Sequence, residues 1–474
     1  MEQLSAQDTL FLQLETNKTP MHIGGLHIYV PEDPKGSFDF DEFKRFFASR
    51  LHLSPIFRRR LVEVPLDLGR PVWIRDPDFH LDHHLFHVAL PKPGGMRGLA
   101  KLAAQIYNTP LDRSRPLWSL TCISGINGIE ELPPNSFAVL AKIHHANIDG
   151  GSGAEIMGVI YDLTAEPRDV PPPAEEWMPE EIPSTTDLIA RSYKGILNTP
   201  MKLLSFIGET AGNALDISKE LVDGLSSPPA LPMTAPNSIL NVPVTQNKIF
   251  GAVDLPLKTL KKVRAAAEVK LNDVVLGICA GALRRYLLEK DALPEKGMSA
   301  MVPISVRDER EQGQAGNKVS AMFISLATEI ADPLERLKAI RKTTKSSKEV
   351  GRAISAEKLM DFLPSELSGL ASKVYTRMGL SELHRPFYNL VITNVPGPPV
   401  PLFMNGARLV RHYGLGITMD GLGLMITVFS YAGLVSICAT SCEEVMPDVY
   451  NYCSYIRDEL NELEKLLDEQ SDEK

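Results

Sequence analysis

Residues 137–163 read FAVLAKIHHANIDGGSGAEIMGVIYDL, and this stretch decides how the surrounding chain is interpreted. The run Phe137–Ile143 is apolar and has the length of a buried strand. Beyond the glycines, Ser152 and Glu155 form the S-x-x-E pattern of a helix N-terminus. Ile156, Val159, Ile160 and Leu163 then recur at helical spacing. The pattern predicts a buried strand, a short polar loop and an amphipathic helix.

The loop between strand and helix carries the residues with chemical potential. His144 and His145 end the strand, and adjacent side chains of extended backbone point in opposite directions, so one of them can face a given pocket. Histidine suits general-base work near neutral pH. Asp149 could orient an imidazole or brace the loop by pairing with an arginine, and Gly150 lets the backbone turn. A metal site or a purely structural histidine pair are the alternatives that spacing leaves open.

Composition narrows the classes of protein to consider. A chain of 474 residues is about three times the commonest domain size, which favours two domains. The net charge of −9 disfavours a general nucleic-acid binder. The 5 cysteines contain no CxxC pair, so neither a disulfide framework nor a zinc cluster is indicated. The start MEQLSAQDTLFLQLE lacks the features of a signal peptide, and we expect a cytoplasmic protein.

The order of patterns along the chain predicts a mixed α/β protein in two halves. We place a first domain at 1–165, a proline-rich linker with surface helices at 166–245, and a second domain at 246–474. The predicted strands are His22–Tyr29, Leu61–Val64, Leu117–Ile123, Phe137–Ile143, Ser299–Val306, Val319–Thr328 and Asn389–Asn394. The predicted helices are Asp187–Leu197, Met201–Leu225, Leu260–Val269, Asp273–Lys290 and a C-terminal helix with Ile456, Leu460, Leu463 and Leu467 on one face.

One uncharged segment, Gly421–Thr440, is long enough to cross a bilayer. It contains the turn signal Ser430–Gly433 and is rich in β-branched residues, so two buried strands joined by a hairpin explain it better. The helix predicted over Met201–Leu225 could lie on a membrane or lipid surface, although packing against the domains is the ordinary explanation.

Several motifs together resemble a known family. HHANIDG matches the HHxxxDG motif of the CoA-dependent acyltransferase superfamily, which includes chloramphenicol acetyltransferase-like enzymes and condensation domains. More narrowly, the chain resembles the bacterial wax ester synthase/diacylglycerol acyltransferase family. The segments that carry this resemblance are Asp8–Gly25 (DTLFLQLETNKTPMHIGG), Pro116-Leu117-Trp118, Asn272-Asp273 and Asn394–Pro398 (NVPGP). Lys248-Ile249 departs from the basic pair expected before the second domain's first strand.

The resemblance implies a fold, a reaction and roles for residues. The fold would be two chloramphenicol acetyltransferase-like domains, each a mixed sheet flanked by helices, with the active site in a tunnel between them. His145 would act as general base in transferring a fatty acyl group from acyl-CoA to a long-chain alcohol or diacylglycerol, without an acyl-enzyme. His144 would be accessory, Asp149 structural, and Asn272 a donor to the oxyanion, although Asn272 could instead cap the following helix. No permanently bound cofactor and no metal are implied.

Two further groups of residues admit more than one interpretation. Pro116-Leu117-Trp118 and Gly150 could line the substrate tunnel, but Trp118 could equally begin a buried strand and pack the core, which we favour. The histidine-rich run 80–87 suggests a metal cluster, yet strand alternation would divide its histidines between two faces, and no ligand spacing supports zinc.

Other enzyme classes lack their sequence signatures. No G-x-S-x-G, G-x-G-x-x-G or Walker motif occurs, which disfavours serine hydrolases, dinucleotide oxidoreductases and P-loop enzymes. Two alternatives remain beside the lipid acyltransferase. One is another HHxxxDG enzyme such as a condensation domain, and the other is a catalytically silent protein that coats lipid inclusions. Peripheral contact with a membrane or with lipid inclusions is compatible both with a lipid acyltransferase and with a coat protein.

Overall fold

The computed structural model describes residues 1–33, 36, 38–65, 69–126, 128–129, 132–133, 135–148, 152–196, 234–305, 319–353 and 386–472. The strands are β1 (Glu2–Gln3), β2 (His22–Pro31), β3 (Arg59–Val62), β4 (Val72–Arg75), β5 (Leu85–Ala89), β6 (Trp118–Ser124), β7 (Phe137–His144), β8 (Lys248–Pro256), β9 (Ser299–Ser305), β10 (Val319–Ser325), β11 (Leu390–Pro396), β12 (Phe403–Met404), β13 (Ala407–Leu415), β14 (Leu424–Tyr431) and β15 (Leu434–Cys442). The helices are α1 (Ala6–Leu14), α2 (Phe40–Ala48), α3 (Gly95–Tyr107), α4 (Ser152–Ile160), α5 (Thr185–Ile196), α6 (Leu257–Ala266), α7 (Leu271–Glu289), α8 (Pro333–Ala353) and α9 (Val449–Asp472).

The strand that ends in the two histidines lies inside a six-stranded sheet, here called the first sheet, with strand order β12-β13-β2-β7-β6-β5. Strand β7 pairs antiparallel with β2 on one side and with β6 on the other. Its residues are almost all buried, as expected for an apolar run between two neighbours. The predicted strand is confirmed and extends one residue further, to His144.

The helix after the loop is shorter than its apolar spacing predicts. Helix α4 ends at Ile160, and Ile156, Val159 and Ile160 are buried in the core beside the first sheet. Leu163 lies beyond the helix and is 72% exposed, so its assignment to the buried stripe is wrong. The chain turns at this point because the Asp162 backbone pairs with Phe403 of β12.

A second six-stranded sheet, with strand order β10-β9-β11-β14-β15-β8, is built from the second half of the chain. Strands β14 and β15 form the hairpin predicted over Gly421–Thr440. Its two-residue turn places Ala432 and Gly433 at φ 44° and 88°, the left-handed conformation that short hairpins require. In the part of the chain that the structure describes, no helix has both the length and the apolar character needed to cross a membrane.

The two halves exchange structure, which sequence patterns did not predict. Strand β13 pairs antiparallel with β2, so residues 403–415 from the second half complete the first sheet. In the opposite direction, Leu99 and Ala103 of α3 share a buried cluster with Phe250 of β8 and Cys438 of β15. The boundaries at 165 and 245 stay a prediction, and they do not divide the sheets cleanly.

Helices cover the second sheet and bury most of its core. Helix α7 is buried along most of its length, and α9 packs with it through Ile456, Leu460, Leu463 and Leu467, which are 0 to 8% exposed. The face predicted for the C-terminal helix is therefore confirmed. The predicted helix at Met201–Leu225 lies outside the described residues.

Candidate active site

The loop after β7 is held by backbone hydrogen bonds on both sides. The N–H of His144 donates to the carbonyl of Leu117 at 3.0 Å, and the N–H of His145 donates to the carbonyl of Met21 at 2.8 Å. A 3₁₀ turn over His145–Asn147 follows at once. The direction of each imidazole is therefore determined by neighbouring segments rather than by the loop alone.

His144 faces inward and is fully buried. Its Nδ1 accepts a hydrogen bond from the N–H of Ala146 at 3.1 Å, which places the proton of the neutral ring on Nε2. That Nε2 lies 3.5 Å from Oε1 of Glu15, a polar contact longer than a well-formed hydrogen bond. This arrangement suits an accessory residue that braces the loop.

His145, the first residue of the 3₁₀ turn, lies in different surroundings. Its ring stacks on Phe11, with centroids 3.9 Å apart and an interplanar angle of 21°, and the side chain remains partly exposed. Burial lowers the pKa of His145 to about 4, although its own backbone carbonyl partly opposes this shift. The imidazole is therefore neutral at physiological pH, the state in which it can accept a proton.

Glu15, in α1's C-terminal cap, organises the floor of this loop and was not singled out from sequence. Its Oε1 accepts the N–H of Met21 at 3.0 Å, and its Oε2 accepts the Nε–H of Arg113 at 2.9 Å. Burial alone would raise the pKa of Glu15, but His144 and Arg113 together hold it at about 2. The resulting carboxylate supports Met21, whose carbonyl in turn holds His145.

Arg59 of β3 anchors the far side of the same loop. Its Nε–H donates to Oδ1 of Asn147 at 2.7 Å, and its Nη2 donates to the Asn147 carbonyl at 3.0 Å. The fully buried Asn147 also donates to the carbonyl of Ile56 at 3.3 Å. Asp149 and Gly150 lie outside the described residues, so their roles stay predictions.

Asn272 lies in the first turn of α7 and is partly buried. The helix is capped by its neighbour, since Oδ2 of Asp273 accepts the N–H of Lys270 at 3.0 Å. The alternative in which Asn272 caps the helix is therefore wrong. The Asn272 side chain instead accepts a hydrogen bond on Oδ1 from Nδ2 of Asn394 at 3.0 Å, which joins two of the motifs singled out in the sequence.

Comparison with known proteins agrees with these motifs. Residues 4–275 match the wax ester synthase/diacylglycerol acyltransferase catalytic domain, and residues 315–464 match the WS/DGAT C-terminal domain. The O-acyltransferase WSD of Acinetobacter baylyi is 32% identical, over 100% of this chain and 99% of the relative. The chain belongs to the wax ester synthase/diacylglycerol acyltransferase family. It is an acyltransferase, and the resemblance seen in the sequence is confirmed.

The fold of this family member is similar to those of two kinds of solved structure. A wax ester synthase/diacylglycerol acyltransferase from Marinobacter aquaeolei VT8 superposes with a TM-score of 0.70 at 28% identity, over 98% of this chain and 100% of that one. The first condensation domain of the calcium-dependent antibiotic synthetase gives a TM-score of 0.54 at 13% identity, over 98% of this chain and 96% of the other. The second likeness shows the shared fold alone and confirms the predicted fold class.

The Pro116-Leu117-Trp118 motif of this acyltransferase is buried. Trp118 is 1% exposed, stacks on His84 at 4.5 Å and donates its indole N–H to the Phe57 carbonyl at 2.9 Å. The one polar group of the indole is thus hydrogen-bonded within the core, which supports the interpretation that Trp118 packs the core. A direct contact of this motif with substrate stays a prediction.

The histidine-rich run 80–87 does not have the continuous extended backbone that strand alternation requires. A 3₁₀ turn at Leu81–His83 precedes β5, so the run is not one continuous strand. His84 is buried and its Nδ1–H donates to the Trp118 carbonyl at 2.9 Å. No cluster of three metal-ligating side chains occurs among the described residues.

Lys248, where the sequence departs from the family's basic pair, is also buried. Its Nζ lies 3.4 Å from Sγ of Cys442 on the neighbouring strand β15. Burial lowers the pKa of this lysine. The Lys248 side chain therefore packs within the second sheet, against Cys442.

Proposed function

We propose that the protein transfers a fatty acyl group from acyl-CoA to the hydroxyl of a long-chain alcohol or diacylglycerol, forming a wax ester or triacylglycerol. The observation that carries this proposal is the neutral, partly exposed imidazole of His145, which is held by its backbone at the end of a central strand. The family to which the chain belongs supplies the reaction type.

In the proposed reaction His145 is the general base. Its Nδ1 is buried without a well-formed hydrogen bond to a described residue, so the partly exposed ring offers its other nitrogen, Nε2, to substrate. Nε2 takes the proton of the acceptor hydroxyl while the hydroxyl oxygen attacks the thioester carbonyl. When the tetrahedral intermediate collapses, the CoA sulfur leaves and takes that proton from the imidazolium. Both substrates bind together, and no acyl-enzyme forms.

The negative charge that develops on the carbonyl oxygen requires a hydrogen-bond donor, and we assign this role to the amide NH₂ of Asn272. Oδ1 of Asn272 is engaged by Asn394, whereas no described residue accepts from its Nδ2. The NH₂ is therefore the part of the amide that remains available. His144 and Asp149 are proposed to brace the loop rather than to touch the substrates.

The products of this reaction are insoluble in water. We therefore propose that the enzyme acts in the cytoplasm at the surface of a membrane or of lipid inclusions. Acyl-CoA and the acceptor lipid are substrates, and we propose no permanently bound cofactor.

The test is product analysis with the purified full-length protein, palmitoyl-CoA and either hexadecanol or dioleoylglycerol. We expect ester formation by the wild type and a loss of about 10²- to 10⁴-fold in His145→Ala, the usual contribution of a general base. Thermal melting of both proteins controls for folding. Equal activity of the two proteins would remove His145 as base, and an inert wild type would contradict the proposed acyl donor and acceptors.

A further inference from the structure

Asn394 lies near the end of β11, in the NVPGP segment, for which the proposed reaction has so far no role. Strand β11 runs parallel to both β9 and β14, so its position in the second sheet is fixed on each side. The Asn394 side chain is partly buried and donates from Nδ2 to Oδ1 of Asn272, at 3.0 Å. These residues are 122 positions apart in the chain.

The backbone of Asn272 is held independently of this contact. Asp273, the next residue, accepts the N–H of Lys270 on Oδ2 and the hydroxyl of Thr344 on Oδ1, at 3.0 and 2.8 Å. These bonds fix the start of α7. What Asn394 adds is therefore confined to the side-chain amide of Asn272.

A side-chain amide has two ends of similar size and opposite polarity. Rotation by 180° exchanges a double donor for an acceptor with almost no change in shape. If the amide of Asn272 were turned, its oxygen would face the developing oxyanion and repel it. A donor placed against Oδ1 selects the orientation in which the NH₂ is available.

We propose that Asn394 is a positioning residue which fixes the orientation of the Asn272 amide so that its NH₂ faces the oxyanion. This inference rests on the proposed function, in which Asn272 is the oxyanion donor. It gives Asn394, the first residue of the NVPGP segment, a role in the rate of the chemical step, exerted through Asn272 rather than through contact with substrate.

The decisive variant is Asn394→Asp, because a carboxylate accepts hydrogen bonds but cannot donate them. Keeping the contact then requires Asn272 to turn its NH₂ toward position 394. We expect kcat to fall by about 10²- to 10³-fold, the usual cost of losing one oxyanion donor. KM for palmitoyl-CoA and for hexadecanol should stay within about twofold of wild type, since binding of the ground state does not use this donor.

Two controls separate orientation from charge and from folding. Val395→Asp places the same negative charge one residue along the strand, at a side chain that is 50% exposed, and should keep wild-type kcat.

Asn272→Ala and the double variant Asn272→Ala/Asn394→Asp complete a double-mutant cycle. If Asn394 acts through Asn272, the double variant loses no more kcat than Asn272→Ala alone. Melting temperatures of all variants are measured alongside.

The outcomes separate this inference from the function on which it rests. Wild-type kcat in Asn394→Asp, or additive losses in the double variant, would overturn the positioning role while His145→Ala still reports on the general base. Wild-type kcat in Asn272→Ala would remove the donor itself and the inference with it. A non-additive cycle with unchanged KM supports the inference.

Discussion

The two candidate catalytic groups are held in place in very different ways. The loop with His145 is supported by residues from four places: Glu15 just after α1, Met21 just before β2, Arg59 in β3 and Leu117 just before β6. Among the residues that the structure describes, the side chain of Asn272 has one hydrogen bond, from Asn394. A general base must keep one direction while a proton moves, which favours many constraints. An amide donor needs only the correct orientation, and one bond can supply it.

Removing the anchor of the loop should produce the largest effect. Arg59→Met deletes two hydrogen bonds to the buried Asn147, and we expect kcat to fall on the order of a hundredfold because the base is displaced from its substrate. The matched control is Arg60→Met on the same strand, where the guanidinium lies 3.6 to 3.9 Å from Asp76 and Asp78. Steady-state kinetics that show the two variants equally active would mean that the loop does not depend on Arg59.

Truncating the inner histidine should produce a smaller effect on activity than truncating the outer one. His144→Ala leaves the buried N–H of Ala146 without its acceptor and removes the polar contact with Glu15, at a cost of about 1–3 kcal/mol in the free energy of unfolding. We expect a lower melting temperature and a loss of no more than about tenfold in kcat. Losses as large as those in His145→Ala would show that both imidazoles take part in the chemistry.

The smallest effect is expected from pH. Because burial lowers the pKa of His145 to about 4, the ring stays neutral from pH 8 to pH 6, and kcat/KM should be nearly constant over that range. As the pH falls further toward 4, protonation removes the base and kcat/KM declines. A histidine at its ordinary pKa would instead give an acid limb near pH 6.5. A pH profile with that midpoint would contradict the buried environment of His145.

Stability limits the range in which this profile can be measured. Burial also lowers the pKa values of His22, His27 and His84, to between about 3 and 4. The unfolded chain therefore binds more protons than the folded one below about pH 6.5, and the free energy of unfolding decreases as pH falls toward 4. Circular dichroism at each pH identifies the points at which the protein is still folded.

Local sequence patterns correctly predicted the elements whose secondary structure does not depend on distant parts of the chain. The apolar run before His144 predicts a strand whichever strands it pairs with. The turn-forming residues Ser430–Gly433 predict the hairpin. The strand alternation considered for the run 80–87 does not hold, because a 3₁₀ turn at Leu81–His83 precedes the strand. Strand β13 gave no local sign of the sheet it would join, since pairing across the two halves depends on long-range packing.

Sequence patterns alone identified the family and the strand that ends in the histidine pair, because motif order and apolar runs are local properties. The groups that support the histidine loop and Asn272 became apparent only from the packing of the folded chain. Glu15, Arg59 and Asn394 reach His144, Asn147 and Asn272 from distant parts of the chain. A hydrogen bond between such residues has no sequence spacing, since it is created when sheets and helices pack together.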